Sequence, residues 1–348
     1  MAKKVFVGMS GGVDSSVTAA LLIEQGYDVT GVYMKNWSQD LPGFDCPWKE
    51  DYQDAKRVAV QLGIPFKMYD FETEYRQKVV EYMLEGYKAG RTPNPDIMCN
   101  QEVKFKLFLN TALQDGADLI ATGHYARIND GQLLTGVDTN KDQSYFLYRV
   151  TEDALRKSLM PIGEYQKPQI REMAKKLGLA TAEKKDSQGI CFVGKVGIKE
   201  FLQAFVQTEP GNIIDHYGRV IGQHDGALFY TIGQRHGLNV GGGLPYYVVG
   251  KDMAKNEVYV TADLQDKNLW SKDLHLTDVH WINDAPDTAK TYQIRPRYRA
   301  PLIEARNLHF AADGSLRFDL GEEVRAITPG QSTVIYDGER VVGGGIVI

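Results

Sequence analysis

Along the first 125 residues, compact apolar runs alternate with longer stretches whose apolar positions recur every three or four residues. The runs at 4–8 (KVFVG), 29–34 (VTGVYM), 65–70 (PFKMYD) and 118–123 (DLIATG) predict strands. The stretches 15–25, 51–62, 72–87 and 103–113 predict helices, the second stopped by Gly63. Strand–helix alternation with short connections calls for right-handed crossovers, and so for an α/β fold whose doubly wound, mainly parallel sheet carries helices on both faces. Such sheets bind ligands beyond the carboxyl ends of their strands, which places a site near Gly8, Met34, Asp70 and Gly123.

The pattern then changes twice. From about 150 to 200 the chain reads as helix and loop, and residues 156–199 hold ten basic side chains against four acidic ones, a local balance of +6. Beyond about 205 the helical period fades, and short β runs separated by Gly and Asn turns continue to residue 348. The expected division is an N-terminal sheet domain with a helical extension at 1–200, a small β-rich central domain at 201–268 and a C-terminal β-barrel at 269–348.

Composition narrows the classes. Of 348 residues, 43% are hydrophobic and 24% charged, the balance of a globular chain and not of a disordered or fibrous one. The net charge is −5, so a nucleic-acid partner has to be met by local patches and not by a global basic field. Three cysteines with no CxxC spacing exclude a disulfide framework and make a zinc ribbon or a cysteine-ligated iron–sulfur cluster poor readings. No 18-residue apolar stretch is present, and the expectation is a cytoplasmic protein with no membrane partner.

Three segments carry candidate chemistry. Gly8-Met9-Ser10-Gly11-Gly12-Val13-Asp14-Ser15-Ser16 lies between the first strand and the first helix. There, glycines let successive backbone N–H groups form a concave nest at a helix N-terminus, with the Ser10, Ser15 and Ser16 hydroxyls as further donors. The lysine of the usual nucleotide loop is missing, which suits pyrophosphate as a leaving group better than γ-phosphate transfer. Asp14 is out of place beside phosphates unless a magnesium ion bridges them. The second segment, Thr92-Pro93-Asn94-Pro95-Asp96-Ile97-Met98-Cys99-Asn100, puts Cys99 at or near a helix start, where the dipole lowers a thiol pKa, with Asp96 as an acid/base or a contact for a base edge. The third, Asp186 to Gly194, sets Cys191 between glycines beside Lys184 and Lys185, which favour a thiolate or persulfide. Taken alone, Cys99 reads more readily as a small packed residue, and Cys191 as readily so, buried between Ile190 and Phe192.

The Ser10–Ser15 signature (SGGVDS) resembles the PP-loop family, whose members cleave ATP between the α and β phosphates to adenylate a substrate. With NPDIMCN at 94–100, GHYAR at 123–127, KDQSYFL at 141–147, GICFVG at 189–194 and FYTIGQRHGL at 229–238, the chain resembles the bacterial tRNA-specific 2-thiouridylases over essentially its full length. The resemblance implies a PP-loop sheet domain, and phosphates of ATP, with Mg2+, held by Gly8, Met9, Ser10, Gly11, Gly12, Val13, Asp14 and Ser15. It implies that Met34 and Gly123 line the adenosine, that Cys99 is the nucleophile and Cys191 the persulfide carrier, and that Asn94, Pro95 and Asp96 meet the target base. Contacts to tRNA would come from His124, Lys141, Asp142, Gln143, Tyr298, Arg299 and Gln331. The implied partners are lysine, glutamate and glutamine tRNAs and a cysteine desulfurase or sulfur-relay protein. No protein metal site is implied, and Cys46 matches no motif.

Two other readings compete. A PP-loop enzyme that adds nitrogen would need an ammonia source and leaves two loop cysteines 92 residues apart without a task. A non-catalytic RNA-binding protein on the same fold would bind tRNA whether or not Cys99 and Cys191 were replaced by serine.

Overall fold

The computed structural model describes residues 2–41, 45–186, 197–238, 240–241 and 245–348. The chain runs through β1 (Lys4–Gly8), α1 (Val13–Glu24), β2 (Asp28–Lys35), α2 (Trp48–Leu62) and β3 (Phe66–Asp70). Two long helical segments follow at 72–88 (α3) and 95–114 (α4), then β4 (Leu119–Ala121), a hairpin of β5 (Ala126–Asn129) and β6 (Gln132–Thr135), β7 (Ser158–Leu159) and α5 (Lys167–Lys176). β1, β2, β3, β4 and β7 form one parallel sheet in the order β3-β2-β1-β4-β7. Every predicted strand of the first 125 residues is therefore present, with β1 at the centre.

β1 shows why. Strand period sends Val5 and Val7 to one face, where they join Val13, Val17 and Leu21 of α1, and sends Phe6 to the other, where it joins Phe108 and Leu109 of α4. All three side chains are buried, each contributing roughly 1.5–3 kcal/mol of hydrophobic stabilisation. α4 starts eight residues earlier than the apolar period predicts. Asn94 accepts the backbone N–H groups of Asp96 and Ile97, and Pro95 occupies the first helical position, so capping and not hydrophobicity sets this end.

The central domain is a four-stranded sheet of β8 (Gly211–Asp215), β9 (Val220–His224), β10 (Tyr247–Asp252) and β11 (Glu257–Thr261), in the order β10-β11-β8-β9. The last domain comprises β12 (Trp270–Trp281), β13 (Tyr292–Arg295), β14 (Ile303–Phe310), β15 (Leu316–Arg325), β16 (Ser332–Asp337) and β17 (Arg340–Val347). These six strands close on themselves, because the long β12 pairs with β15 at one end and β17 at the other. The alternation of Leu316, Phe318 and Leu320 with exposed Arg317 and Asp319 fills the barrel interior.

One feature was not read from the sequence. The β5–β6 hairpin leaves the N-terminal domain and adds β6 to β17, with Leu133 opposite Val341 and Leu134 opposite Arg340. Arg127 and Glu339 form an ion pair across the same seam. The local signal was Asp130-Gly131, both at positive φ (47° and 77°), a turn between two strands. Among the described residues, no helix is long and apolar enough to cross a membrane.

Candidate functional site

The phosphate loop leaves β1 at Gly8 and enters α1 at Gly12, the N-cap, which has no side chain to bond the first-turn N–H groups. Those donors stay available to an anion at the positive end of the helix. Gly11 turns the loop at φ +75°, where a Cβ would stand 2.3 Å from the Asp51 carbonyl oxygen. Gly123 packs against the helix start, its missing Cβ 2.8 Å from the Ser15 nitrogen, and Met34 lies against Gly8. The structure thus brings Gly8, Gly11, Gly12, Met34 and Gly123 around one cradle at the carboxyl ends of β1, β2 and β4.

Two hydroxyls expected to face the anion are used otherwise. Ser15 Oγ donates to Gly12 O (3.1 Å) and accepts the Ser10 N–H (3.2 Å), while the buried Ser16 Oγ donates to Gly12 O (2.8 Å). They brace the loop; Ser10 remains exposed.

Asp14 also has a different partner from the one expected. Lys167, at the first position of α5, reaches it with Nζ 2.7 and 2.8 Å from the two carboxylate oxygens, and Tyr125 OH donates to it at 2.8 Å. Lys167 is 9% exposed and also pairs with Asp186 at 2.9 Å, which Lys141 reaches at 2.7 Å. Burial alone would raise the Asp186 carboxyl, but hydrogen bonds from Lys141 and Lys167 outweigh it and bring its pKa down to about 2. The loop therefore has a lysine after all, delivered from 153 residues away. No local spacing could have shown it.

Cys99 lies in the second turn of α4, not at its start, because the Asn94 cap moves the N-terminus upstream. The side chain is 1% exposed and packs in the core layer with Ile97 and Val103. About two turns further on, along the wider π-helical stretch Cys99–Phe108, Phe108 packs beneath Gly8, so one helix ties the thiol to the phosphate loop. Asp96 is half-buried, Pro95 is buried, and the Asn94 side-chain oxygen is taken up by the cap. Cys191 lies outside the described residues. Cys46 donates to the Trp37 carbonyl at 3.7 Å, and burial raises its thiol pKa, the opposite of activation.

The expected RNA contacts divide into two groups. Tyr298 and Arg299 border a cavity of about 330 Å³ together with Thr139, Asn140, Asp142 and Arg295. Tyr298 packs at a tilt against Phe146, with ring centroids 4.4 Å apart and planes at 50°, and the Arg299 guanidinium lies over Tyr298. His124 and Asp142, by contrast, are buried at 6% and 4% exposure and point inward. His124 bonds Thr122 Oγ1 at 2.8 Å, and burial followed by the nearby Lys104 charge holds it well below the usual histidine pKa, so it is neutral. Asp142 accepts from Gly136 N and from Ser144 N and Oγ and pairs with Arg295 at 3.2 Å. Gln143 accepts the Tyr125 N–H, and Gln331 donates to the Thr92 carbonyl. These four are internal fastenings here.

The +6 segment is likewise compensated. Arg156 pairs with Glu152 and Asp130, Lys175 with Glu183, Lys176 with Glu172, Lys184 with Asp51 and Asp54, and Lys199 with Asp225. Lys167 and Arg171 share Asp186. Intramolecular carboxylates answer these cations in the structure.

Comparisons with known proteins follow this architecture. Residues 3–195 match the family described as "tRNA methyl transferase HUP domain", residues 199–262 the "tRNA methyl transferase PRC-barrel domain", and residues 271–347 the "Aminomethyltransferase beta-barrel domain". The tRNA-specific 2-thiouridylase MnmA of Listeria monocytogenes is 48% identical over 350 residues, covering 99% of this chain and 94% of that protein. Its counterpart in Bacillus subtilis is 49% identical over 354 residues with the same coverage. A solved 4-thiouridine synthetase–RNA complex with bound ATP aligns at 20% identity over 58% of this chain and 50% of that one, with a TM-score of 0.39, too distant to bear on the site. With near-complete mutual coverage at almost half identity, this chain belongs to the tRNA-specific 2-thiouridylase family.

Proposed function

We propose that the chain is a tRNA-uridine 2-sulfurtransferase, converting the wobble uridine of lysine, glutamate and glutamine tRNAs to 2-thiouridine at the expense of ATP. The observation that supports this most directly is the uncapped start of α1, walled by Gly8, Gly11, Gly123 and Met34 and joined through α4 to Cys99. The oxygen on C2 of uridine is a poor leaving group, and transfer of AMP to it, with release of pyrophosphate, makes it a good one. The helix N-terminus and Lys167 would take the phosphate charge, and Met34 and Gly123 would border the adenosine. Mg2+ prefers oxygen ligands and usually takes one or two carboxylates with substrate phosphates. Asp14 is the carboxylate at the loop, and among the described residues no cluster of three or more potential ligands supplies a protein-only site. Both Asp14 oxygens are already held, by Lys167 and Tyr125, so Mg2+ would ride on the ATP phosphates with water as its remaining ligands and would bind Asp14 only if Lys167 moved away.

Sulfur would arrive as a persulfide on Cys191, charged by a cysteine desulfurase or a relay protein. In one route the terminal persulfide sulfur attacks C2 and AMP departs. The Cys99 thiolate then attacks the Cys191 sulfur, freeing the thiolated base and leaving a Cys99–Cys191 disulfide. In the other, Cys99 attacks the Cys191 persulfide first and the released sulfide attacks C2. Either way the disulfide takes two electrons from a reductant before the next turnover. Because Cys99 is buried, its cover has to shift before it reacts. We assign these tasks to residues 1–200, with 201–268 as the central module and 269–348 as the barrel that borders the RNA through Tyr298 and Arg299.

The test is nucleoside mass spectrometry on unmodified glutamate tRNA incubated with protein, Mg-ATP and a sulfide or desulfurase donor. The expected outcome is 2-thiouridine with AMP release, lost in Cys99→Ser. In Cys191→Ser, activity should survive with free sulfide and fail with the desulfurase. ATP consumption to AMP without a thiolated base would overturn the substrate assignment.

A further inference from the structure

Thiolation through an adenylated uridine fixes where the phosphate has to be. It starts at the loop between β1 and α1, and it ends one oxygen away from the C2 atom that sulfur attacks. A group that holds it there belongs between the start of α1 and Cys99, the span that α4 bridges. The stretch Cys99–Phe108 of that helix is π-helical, bonded between residues five apart, so Lys104 stands one turn beyond Cys99 and about one turn before Phe108. Phe108 in turn packs beneath Gly8 of the phosphate loop.

Two lysines lie in this stretch, and they face different ways. Lys106 is exposed and pairs with Glu102 at 3.0 Å, a carboxylate that Lys78 also reaches at 3.1 Å. Lys104 is half-buried, with Nζ 3.3 Å from Nε2 of His124. An ammonium group only donates, so Nε2 accepts, and the proton of the neutral ring sits on Nδ1, 2.8 Å from Thr122 Oγ1. Phe105 packs on the same ring, with centroids 5.8 Å apart.

His124 directly follows Gly123, whose missing Cβ stands 2.8 Å from the Ser15 nitrogen in the first turn of α1. The bond to His124 therefore sets the Lys104 ammonium one residue along the chain from the wall of the nucleotide cradle. Lys167, the other cation of the site, is tied to Asp14 at the loop itself. Lys104 comes instead from the helix of the thiol, on the stretch between Cys99 and the residue under Gly8.

We propose that Lys104 is a further catalytic residue, whose ammonium group holds the phosphate of the adenylated uridine between the phosphate loop and Cys99 and takes up the charge that gathers on AMP as it leaves C2. The proposal rests on the functional reading above and deepens it. In adenylation, uridine O2 attacks the α-phosphorus, and pyrophosphate leaves with the electron pair of the broken P–O bond. When sulfur then attacks C2, the C2–O2 bond breaks and O2 departs on AMP with its pair. Negative charge grows on the AMP oxygens in this second step, and a cation already in place answers it without rearranging. Lys104 itself forms no covalent bond and gives up no proton. A fixed donor of this kind is worth about 10²–10³ in kcat.

The experiment compares Lys104→Met, Lys104→Gln and Lys104→Arg in the full-length, reduced protein with unmodified glutamate tRNA, Mg-ATP and sulfide. AMP release, 2-thiouridine, ATP and tRNA affinity, Tm and the pH dependence of Cys99 alkylation by N-ethylmaleimide are followed. In both neutral variants AMP release and 2-thiouridine should fall together by about 10²–10³. ATP and tRNA affinity should stay within about threefold of the parent, and Tm within about 5 °C. The pH midpoint of Cys99 alkylation should not move, and Lys104→Arg, which keeps the charge, should recover about tenfold or more of the lost rate. AMP released at the parental rate with thiolation lost, and a Cys99 midpoint moved upward, would make Lys104 a partner of the thiolate and overturn the proposal. Weaker tRNA binding at unchanged kcat would make it an RNA contact only and would overturn it too. If the parent releases AMP and thiolates nothing, the functional reading fails, while AMP release in the Lys104 variants still decides the phosphate role. A parent that forms no AMP would overturn both.

Discussion

At the phosphate loop, the turn, the bracing hydroxyls and the available N–H groups all come from Gly8 to Ser16, nine consecutive residues. At the Cys99 segment, only the Asn94 cap is local, and the bonds that fix Thr92 come from residues 231, 329 and 331. The first region takes its turn and its donors from one short piece of chain and adds Gly123 and Lys167 from afar, whereas the second has only its cap locally and is otherwise fixed by domains far along the chain. The difference suits the proposed tasks. A phosphate nest works as a fixed object for every nucleotide, while a thiol that meets a large RNA gains from being registered against the surfaces that border that RNA.

The sharpest way to separate the two regions is to remove the thiol. Cys99→Ser should lower thiolation about 10³-fold or more while ATP affinity, measured by nucleotide titration, stays within about twofold. A parallel loss of ATP affinity would mean that the regions are not independent. The converse is Gly123→Ala, whose new methyl would press on Ser15 at the start of α1. Here ATP affinity should fall about tenfold to a hundredfold, with Cys99 alkylation unchanged.

Lys167→Met tests the charged long-range member of the phosphate site. It leaves Asp14 and Asp186 without the cation between them, and both carboxylates are about a third exposed. The expected costs are about 1–3 kcal/mol in denaturant unfolding and a KM for ATP about tenfold higher, and adding Asp14→Asn should recover part of the stability. Full additivity in that cycle would show that the pair does not interact.

Asn94→Ala removes the local element of the second region and should cost about 1 kcal/mol, a Tm lowered by about 1–3 °C in calorimetry, with faster exchange confined to the first turn of α4.

The smallest effect concerns Lys251, in the central domain, which donates to the Tyr230 carbonyl at 2.7 Å and lies near Gly90, just ahead of the Thr92 segment. Burial brings its ammonium down to about 8, so folding is penalised while the group is protonated. Because the unfolded chain binds the proton more tightly, stability should rise with pH between about 8 and 10.5 from this group. Lys251→Met should raise Tm by a degree or two at pH 7 and lose that advantage as pH approaches 10.5, read by thermal scans across that range.

Legibility from the sequence follows the same division. β1, α1 and the glycines between them were readable because period, cap and turn all act within a few residues. The apolar spacing places the start of α4 eight residues late, because Asn94 and Pro95 begin it, and Cys99, expected at or near a helix start, lies in the second turn. The Lys167–Asp14 pair, the inward turn of His124 and Asp142 and the bonds to Thr92 span up to 239 residues, and no local pattern encodes them. The +6 count of 156–199 was correct as arithmetic, but the carboxylates that answer it lie partly outside the window, at Asp51, Asp54, Asp130 and Asp225.

The addition of β6 to β17 has a consequence in time. Leu133 meets Val341, 208 residues later, and at about 5–20 residues per second of synthesis that gap lasts roughly 10–40 s. Throughout it the edge of β6 has no β17 to pair with, which is the condition under which strand edges recruit foreign strands. A nascent chain can therefore hold the whole of residues 8–16 while this edge is still open.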